Sequence, residues 1–458
     1  MGQALISDNP IADMRKRMRQ TGQWVPAQIA GRRWAVACVS LEITQRCNLD
    51  CTLCYLSESA EQVRDFPLEE IYRRIDMIAQ NYGPGTDVQV SGGEPTLRKH
   101  SELVAIVSRL TSLGLRSSLF TNGIKATRSL LQDLVAVGLN DVAFHVDMTQ
   151  QRQGYATEQD LNSLRLEYIN RARCLPISVF FNTTVHADNF NEIPAVTKFF
   201  IANADVVRFA SFQLQAETGR GILGARDDVI SNASVAQRLK RGAGVDLKFN
   251  VLSAGHHECN QAAVMLVING QVYDAYEDVH FIQRFMHETA NLRVDRGMPW
   301  RSIKSLLRAA ISRPSLTLAG IQWAMQMIWK TRKNLFLARG RVYKLAVFTH
   351  NFMDACHLDP EREKACVFMA MTQDGPLSMC TYNAQRESYL LRPLQTQSGL
   401  WQPIDQRAQL EATTSSEGTI YPIKWLKGKP REMALHKLRN AGLKHQNRTI
   451  EVEETAEQ

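Results

Sequence analysis

Between Val39 and Phe212, short runs of β-branched and aromatic residues alternate with longer stretches whose apolar positions recur at helical spacing. Val39–Thr44, Val88–Ser91, Arg116–Phe120, Val142–Val146, Ile177–Val185 and Val206–Phe212 are the strand-like runs. Leu68–Asn81, Leu103–Leu113, Ser129–Val137, Glu158–Ala172 and Ile193–Ala202 carry the helical period, and Pro67 with Glu69 and Glu70 forms a helix start. Six strands separated by five helices on short connections predict a parallel sheet with right-handed crossovers. The expected fold is therefore α/β, an open partial (β/α)6 TIM-like barrel. Its chemistry belongs on loops at the C-terminal ends of the strands.

Regular alternation stops near Gly221. Asp246–Val267 has room for further strands and Val279–Asn291 reads as a helix, while Arg301–Leu345 reads as mainly helical with a break at Pro314. Residues 396–418 are rich in Gln, Ser and Thr and read as a linker or surface loops, and Glu451–Gln458 as a frayed end. These shifts divide the chain into a basic N-terminal extension (1–36), a core barrel (37–225), a cysteine-bearing and basic helical region (226–395), and a C-terminal linker and tail (396–458).

Composition removes whole classes of function. A chain of 458 residues with 44% hydrophobic and 22% charged residues is neither disordered nor fibrous. Met1–Gln20 has no apolar core of signal-peptide length, and no uncharged apolar run reaches the roughly 18 residues of a membrane span, so a cytoplasmic protein is expected. The net charge of +8 is not evenly spread: the eleven Lys and Arg from Arg296 to Lys344 face no acidic residue between Asp295 and Asp354. Removing those eleven charges from +8 leaves −3 on the rest, so the basicity belongs to one segment.

Nine cysteines without a secretion signal argue for metal ligation rather than a disulfide scaffold. The first strand runs directly into Cys47-Asn-Leu-Asp-Cys51-Thr-Leu-Cys54. Three thiolates on one loop can wrap one small cluster, and three leave a four-iron cluster one ligand short of the usual four. That vacancy suits a reactive cluster; a zinc knuckle with a distant fourth ligand is the alternative. The second strand ends in Ser91-Gly92-Gly93-Glu94-Pro95, whose paired glycines permit close backbone approach and whose carboxylate suits an amine. On its own, GGEP would be an ordinary tight turn.

CxxxCxxC after a first strand, followed by GGEP after a second, resembles the radical S-adenosylmethionine superfamily over about residues 37–220. The resemblance implies a [4Fe–4S] cluster on Cys47, Cys51 and Cys54 whose free iron chelates the amino and carboxylate groups of S-adenosyl-L-methionine. Gly92, Gly93 and Glu94 would hold the methionine amino group. An electron donor such as flavodoxin or ferredoxin would drive cleavage to a 5′-deoxyadenosyl radical, which takes hydrogen from a substrate carbon. Many members have an aromatic residue before the third cysteine; Leu53 stands there in this chain, so no adenine stacking is assigned to it. Other polar residues fall on the same rim: Thr121-Asn122-Gly123, His145, Asp147, Asn182 and Gln213. Each reads equally well as a loop cap. Asn122 and Asn182 are the preferred cofactor contacts, while His145 and Asp147 suit either cofactor or substrate. Arg220 suits an anionic group or a plain surface position.

Four further cysteines, Cys259, Cys356, Cys366 and Cys380, have spacings that fit no zinc-finger template. A second iron–sulfur cluster on them is the favoured reading, with structural zinc or unliganded thiols as alternatives. Cys38 and Cys174 lie in or beside apolar runs and read as core residues. An HxxC-like element at His256–Cys259, Phe352-Met353-Asp354, Cys366, Asp374-Gly375 and Cys380-x-Tyr382-Asn383 resembles the branch that contains tetraether lipid synthases and pterin C-methylases. That branch implies auxiliary clusters and transferase chemistry on unactivated carbons, with a lipid or a small heterocycle as substrate.

The basic segment bears on that choice. Trp323, Met327 and Trp329 lie between Arg313 and the run Lys330, Arg332, Lys333, a pattern suited to the surface of an anionic membrane, to a phosphate-bearing tail, or to a core-facing helix with a solvated basic face. Nucleic acid is disfavoured, because no recognised binding module accompanies the charge. Three functions compete: a radical enzyme acting on a lipid, one acting on a small heterocycle or peptide, and a zinc-bound adaptor.

Overall fold

The computed structural model describes residues 37–404 except 58–59, 222–225, 252–253 and 290–298. The N-terminal extension and everything after 404 lie outside the described residues. Six parallel strands run β1 (Cys38–Thr44), β2 (Asp87–Gly92), β3 (Arg116–Thr121), β4 (Asp141–His145), β5 (Ser178–Val185) and β6 (Val207–Leu214), paired in that order. Each is within two residues of its expected bounds. The helices between them are α1 (Leu68–Tyr82), α2 (His100–Ser112), α3 (Arg128–Ala136), α4 (Asn162–Ala172) and α5 (Ile193–Ala202).

Strand composition explains this regularity. Val39, Leu41 and Ile43 on β1, Val88 and Val90 on β2, and Val142 and Phe144 on β4 are all essentially inaccessible to solvent. Parallel strands covered by helices must read as near-continuous apolar runs, and these do. In α1, Ile71, Ile75 and Ile78 recur at the spacing that keeps one face on the sheet. Arg74 is buried in the same helix, where its charge is met by Glu70 one turn earlier at 2.8 Å.

The remainder of the chain adds strands to both edges of this sheet. After α6 (Asn232–Ala243), the hairpin β7 (Asn260–Ile268) and β8 (Gln271–Asp274) leads into α7 (Val279–Glu288), α8 (Pro299–Ser312) and α9 (Pro314–Leu337), and β9 (Tyr343–Asn351) follows. β9 pairs parallel to β6 and antiparallel to β7. Then come α10 (Pro360–Lys364), β10 (Phe368–Thr372), β11 (Gly375–Ser378), α11 (Met379–Ala384) and α12 (Arg386–Leu390). β10 pairs parallel to β1 and antiparallel to β11, so the sheet order is β11-β10-β1-β2-β3-β4-β5-β6-β9-β7-β8.

Two expectations need correction. Cys174 is exposed, in a left-handed turn at φ 65° after α4, and not in the core; its apolar neighbours Leu175 and Ile177 carry the packing instead. The start of the segment read as a linker forms a small hairpin, β12 (Leu394–Thr396) with β13 (Gly399–Trp401), whose Trp401 packs against Phe66 at 5.2 Å between ring centroids.

Candidate active site

Because β1 to β6 are parallel, all their C-terminal loops open on one face. The Cys47–Cys54 loop is tied to four of those loops. Glu94 N donates to Arg46 O at 2.7 Å and Gly93 N to Thr44 O at 2.9 Å, which bind the loop after β2 to the loop after β1. Asn122 Nδ2 donates to Asn48 Oδ1 at 2.7 Å from the end of β3. Thr52 N donates to Thr149 O at 2.9 Å beyond β4, and Arg220 N to Cys54 O at 2.9 Å beyond β6. The paired glycines are needed for this closeness. A Cβ on Gly92 would lie 2.0 Å from Thr44 O, and one on Gly93 would lie 2.2 Å from Arg46 O.

The three thiols feel one another's charge, and burial raises all of them: Cys47 to about 11, Cys51 well above its ordinary value, and Cys54 upward against the favourable charge of Arg220. At neutral pH the bare thiols stay protonated, so binding iron must release protons. Arg220 is almost wholly buried; it reaches Asp50 Oδ1 at 3.3 Å and favours the thiolate of Cys54. Among the described residues, no three Cys, His, Asp or Glu side chains converge on a position for a single ion. The donor set, three half-buried thiols within eight residues on a braced loop, fits an iron–sulfur group.

Glu94 is fully buried, and its carboxylate accepts from Thr96 N, Thr96 Oγ1 and Thr121 Oγ1 on one oxygen and from Asn122 N at 2.7 Å on the other. Glu94 thus cross-links the ends of β2 and β3, and Oε2, with one donor, keeps a second lone pair. Asn122 stands at the cysteine loop, while Asn182 lies within β5, in register with His145 and Ser211.

His145 and Asp147 form a pair after β4, Nε2 to Oδ2 at 2.6 Å, and Asp147 also accepts from Thr184 N at 2.7 Å. Burial opposes the imidazolium, but the Asp147 charge outweighs it and raises His145; burial likewise opposes ionisation of Asp147, and His145 overcomes it. The short hydrogen bond thus draws His145 towards its protonated form beside the Asp147 carboxylate on the barrel rim.

Of the four later cysteines, three feel one another's charge. Cys259 precedes β7, Cys366 precedes β10, and Cys380 opens α11. Burial raises Cys366 to about 12 and Cys380 to about 11, and the charges of Cys259, Cys366 and Cys380 act on one another. Cys356 is exposed, with its Sγ 3.0 Å from Nδ1 of His357.

Sequence reasoning missed Tyr55 and Arg386. Tyr55 Oη donates to Gly92 O at 2.7 Å, and the Arg386 guanidinium lies 4.7 Å from the centre of the Tyr55 ring. Adjacency to Cys54 was the only signal for Tyr55. Nothing local signals Arg386.

Residues 41–200 match the family model described as the Radical SAM superfamily. The chain is similar to 7,8-dihydro-6-hydroxymethylpterin dimethyltransferase of Methanocaldococcus jannaschii, at 23% identity over 392 residues, covering 75% of this chain and 76% of that protein. It is 28% identical over 186 residues to the PqqA peptide cyclase of Bradyrhizobium diazoefficiens, but covers only 46% of it and 38% of itself. Streptococcus suis SuiB bound to S-adenosylmethionine superposes with a TM-score of 0.36 at 16% identity, over 52% of this chain and 53% of that one. A catalytic family removes the zinc-adaptor reading and implies a [4Fe–4S] cluster with S-adenosylmethionine. The chain carries a Radical SAM domain over residues 41–200 and is a radical SAM enzyme.

Proposed function

We propose that this enzyme functionalises an inert carbon of a hydrophobic, anionic substrate, a lipid, by C–C bond formation or methylation. Cys47, Cys51 and Cys54 hold the [4Fe–4S] cluster, and Gly92, Gly93, Glu94, Asn122 and Asn182 contact S-adenosylmethionine. When bound, the cluster supplies the electron that reductively cleaves S-adenosylmethionine to a 5′-deoxyadenosyl radical. The protein's own part is to bind and orient. Arg220 offsets the charge of the thiolates, Glu94 fixes the two loops that frame the cofactor, and His145, paired with Asp147, offers a hydrogen bond on the substrate side. Cys259, Cys366 and Cys380 hold a second iron–sulfur cluster, with the exposed Cys356 as its candidate fourth ligand. Flavodoxin or ferredoxin serves as electron donor in the cytosol, where thiols stay reduced.

The observation that carries this reading is the cysteine loop tied to the ends of β2, β3, β4 and β6. A small heterocycle is the second reading, favoured by the printed activity of the Methanocaldococcus jannaschii relative. Anaerobic reconstitution with iron and sulfide, then dithionite and S-adenosylmethionine, should give 5′-deoxyadenosine, and Ala at Cys47, Cys51 and Cys54 should abolish it. Comparing extracts of cells with and without the enzyme identifies the substrate. A product in the lipid fraction upholds the proposal, whereas one only in the water-soluble pterin or peptide fraction replaces it with the second reading.

A further inference from the structure

The outward faces of α8 and α9 are apolar. At about 100° per residue, Leu318, Ile321, Met325, Ile328, Trp329 and Phe336 of α9 share an arc of roughly 100°. All six are at least half exposed, with Trp329 at 69% and Phe336 at 84%. Leu316, Met327 and Thr331, the buried residues of α9, lie on the opposite side, where Trp323 stacks on Phe281 of α7 at 5.6 Å. So α9 already buries one apolar face against the body of the protein and turns a second one to solvent. A helix at the surface of a globular domain normally presents polar residues there.

The neighbouring α8 repeats the arrangement. Trp300, Ile303, Leu307 and Ile311 fall on one stripe, with Trp300 at 81% and Ile311 at 82% exposure, opposite the buried Ala309. Exposed Lys304 and Arg308 flank that stripe. On α9, Arg332 sits within the apolar stripe, its guanidinium 3.9 Å from the centre of the Trp329 ring, and exposed Lys333, Arg339 and Arg341 follow. Lys330 differs, being paired with Glu277 at 2.6 Å.

We infer that α8 and α9 form an interfacial anchor that lays the enzyme on an anionic bilayer. Large aliphatic and indole side chains enter the boundary between headgroups and acyl chains, while the flanking cations meet the lipid phosphates. The charge selects this occupant. With no acidic residue between Asp295 and Asp354, a second copy would bring exposed Lys304, Arg308, Arg332, Lys333, Arg339 and Arg341 against the same six cations. Nucleic acid would satisfy the cations and leave the aliphatic stripes in water. No helix among the described residues is long and apolar enough to cross a membrane, so the contact lies along the surface. The inference goes beyond the lipid-substrate reading and does not depend on it.

Flotation of the full chain with vesicles tests it. Wild type should float with phosphatidylcholine vesicles containing phosphatidylglycerol, and should stay down with phosphatidylcholine alone or at high salt. Two triple variants, Ile321→Ser/Trp329→Ser/Phe336→Ser and Lys333→Glu/Arg339→Glu/Arg341→Glu, should each lower the partition coefficient at least tenfold. Unchanged circular dichroism and 5′-deoxyadenosine formation would show that the rest of the enzyme is intact. Failure of wild type to float on anionic vesicles overturns the inference, as does binding that ignores both variants. A concentration-dependent dimer abolished by the serine variant would assign the stripe to a second copy instead. Flotation reads binding without turnover, so its failure is separate from failure of the radical chemistry or of the lipid substrate.

Discussion

Arg386 and Glu42, 344 residues apart in the chain, form a buried pair in which Arg386 Nη1 donates to both carboxylate oxygens at 2.5 and 2.7 Å. Tyr382 Oη adds a bond to the same carboxylate at 2.9 Å and Gln45 Nε2 another at 2.8 Å. The pair fastens α12 to β1, just ahead of the cysteine loop. Arg386→Leu leaves Glu42 ionised and enclosed without its cation, which should cost about 3–5 kcal/mol. Adding Glu42→Gln should recover much of that loss. Urea midpoints of the metal-free protein check both, and a wild-type midpoint for Arg386→Leu would show that the pair contributes nothing.

The later cysteines should separate by iron content. Ala at Cys259, Cys366 or Cys380 should remove the iron of a second cluster, about four per chain for a four-iron group, while the 5′-deoxyadenosine chemistry of the first persists. Cys356→Ala should cost less iron, since its thiol is exposed whereas Cys380 is buried and Cys259 and Cys366 are half-buried. Equal iron loss in all four variants would require Cys356 to swing inward.

Gly92→Ala should be far worse than Gly83→Ala. Both glycines have positive φ, at 123° and 78°, so both substitutions carry backbone strain of about 1–2 kcal/mol. Only at Gly92 does the added methyl meet a backbone oxygen, Thr44 O at 2.0 Å; at Gly83 it meets open space. The expected outcome is loss of cluster incorporation for Gly92→Ala, read from the iron–sulfur absorbance, and near-normal incorporation for Gly83→Ala.

His350 should make stability depend on acid. Burial, aided by the Arg362 charge, lowers it to about 3, and its ring stacks on Phe352 with 4.0 Å between centroids. The unfolded chain takes up this proton near pH 6.5 and the folded one does not. Stability is therefore full above that value and falls as pH drops from about 6.5 towards 3, by at most about 1.4 kcal/mol per pH unit. His350→Phe should flatten that part of the profile in denaturation midpoints measured between pH 4 and 7.

The sequence was most legible where one physical cause acts locally. Runs such as Val39–Thr44 declare buried parallel strands because both faces of the strand are covered, and the Cys47–Cys54 spacing declares a cluster loop because three thiols must converge. It was silent where partners are distant. Nothing near Phe368 says that β10 will lie beside β1, and spacing alone cannot tell that Cys356 is exposed while Cys380 is buried. Cys174 misled because apolar neighbours suggested burial, whereas the turn that ends α4 points it outward. In α9, helical periodicity marks apolar positions but cannot say which of two opposite stripes the fold will cover.

Pairing of β10 with β1 also constrains how the protein is made. Between Thr44 and Phe368 the ribosome must add more than 300 residues, roughly half a minute of synthesis at about 5–20 residues per second. For that time the outer edge of β1, with its unpaired backbone groups and the adjoining thiols, has no strand to cover it. A nascent chain in this state is open to aggregation and to oxidation of Cys47, Cys51 and Cys54. Safe production therefore depends on the last third of the chain arriving promptly, and iron delivery is best timed to follow it.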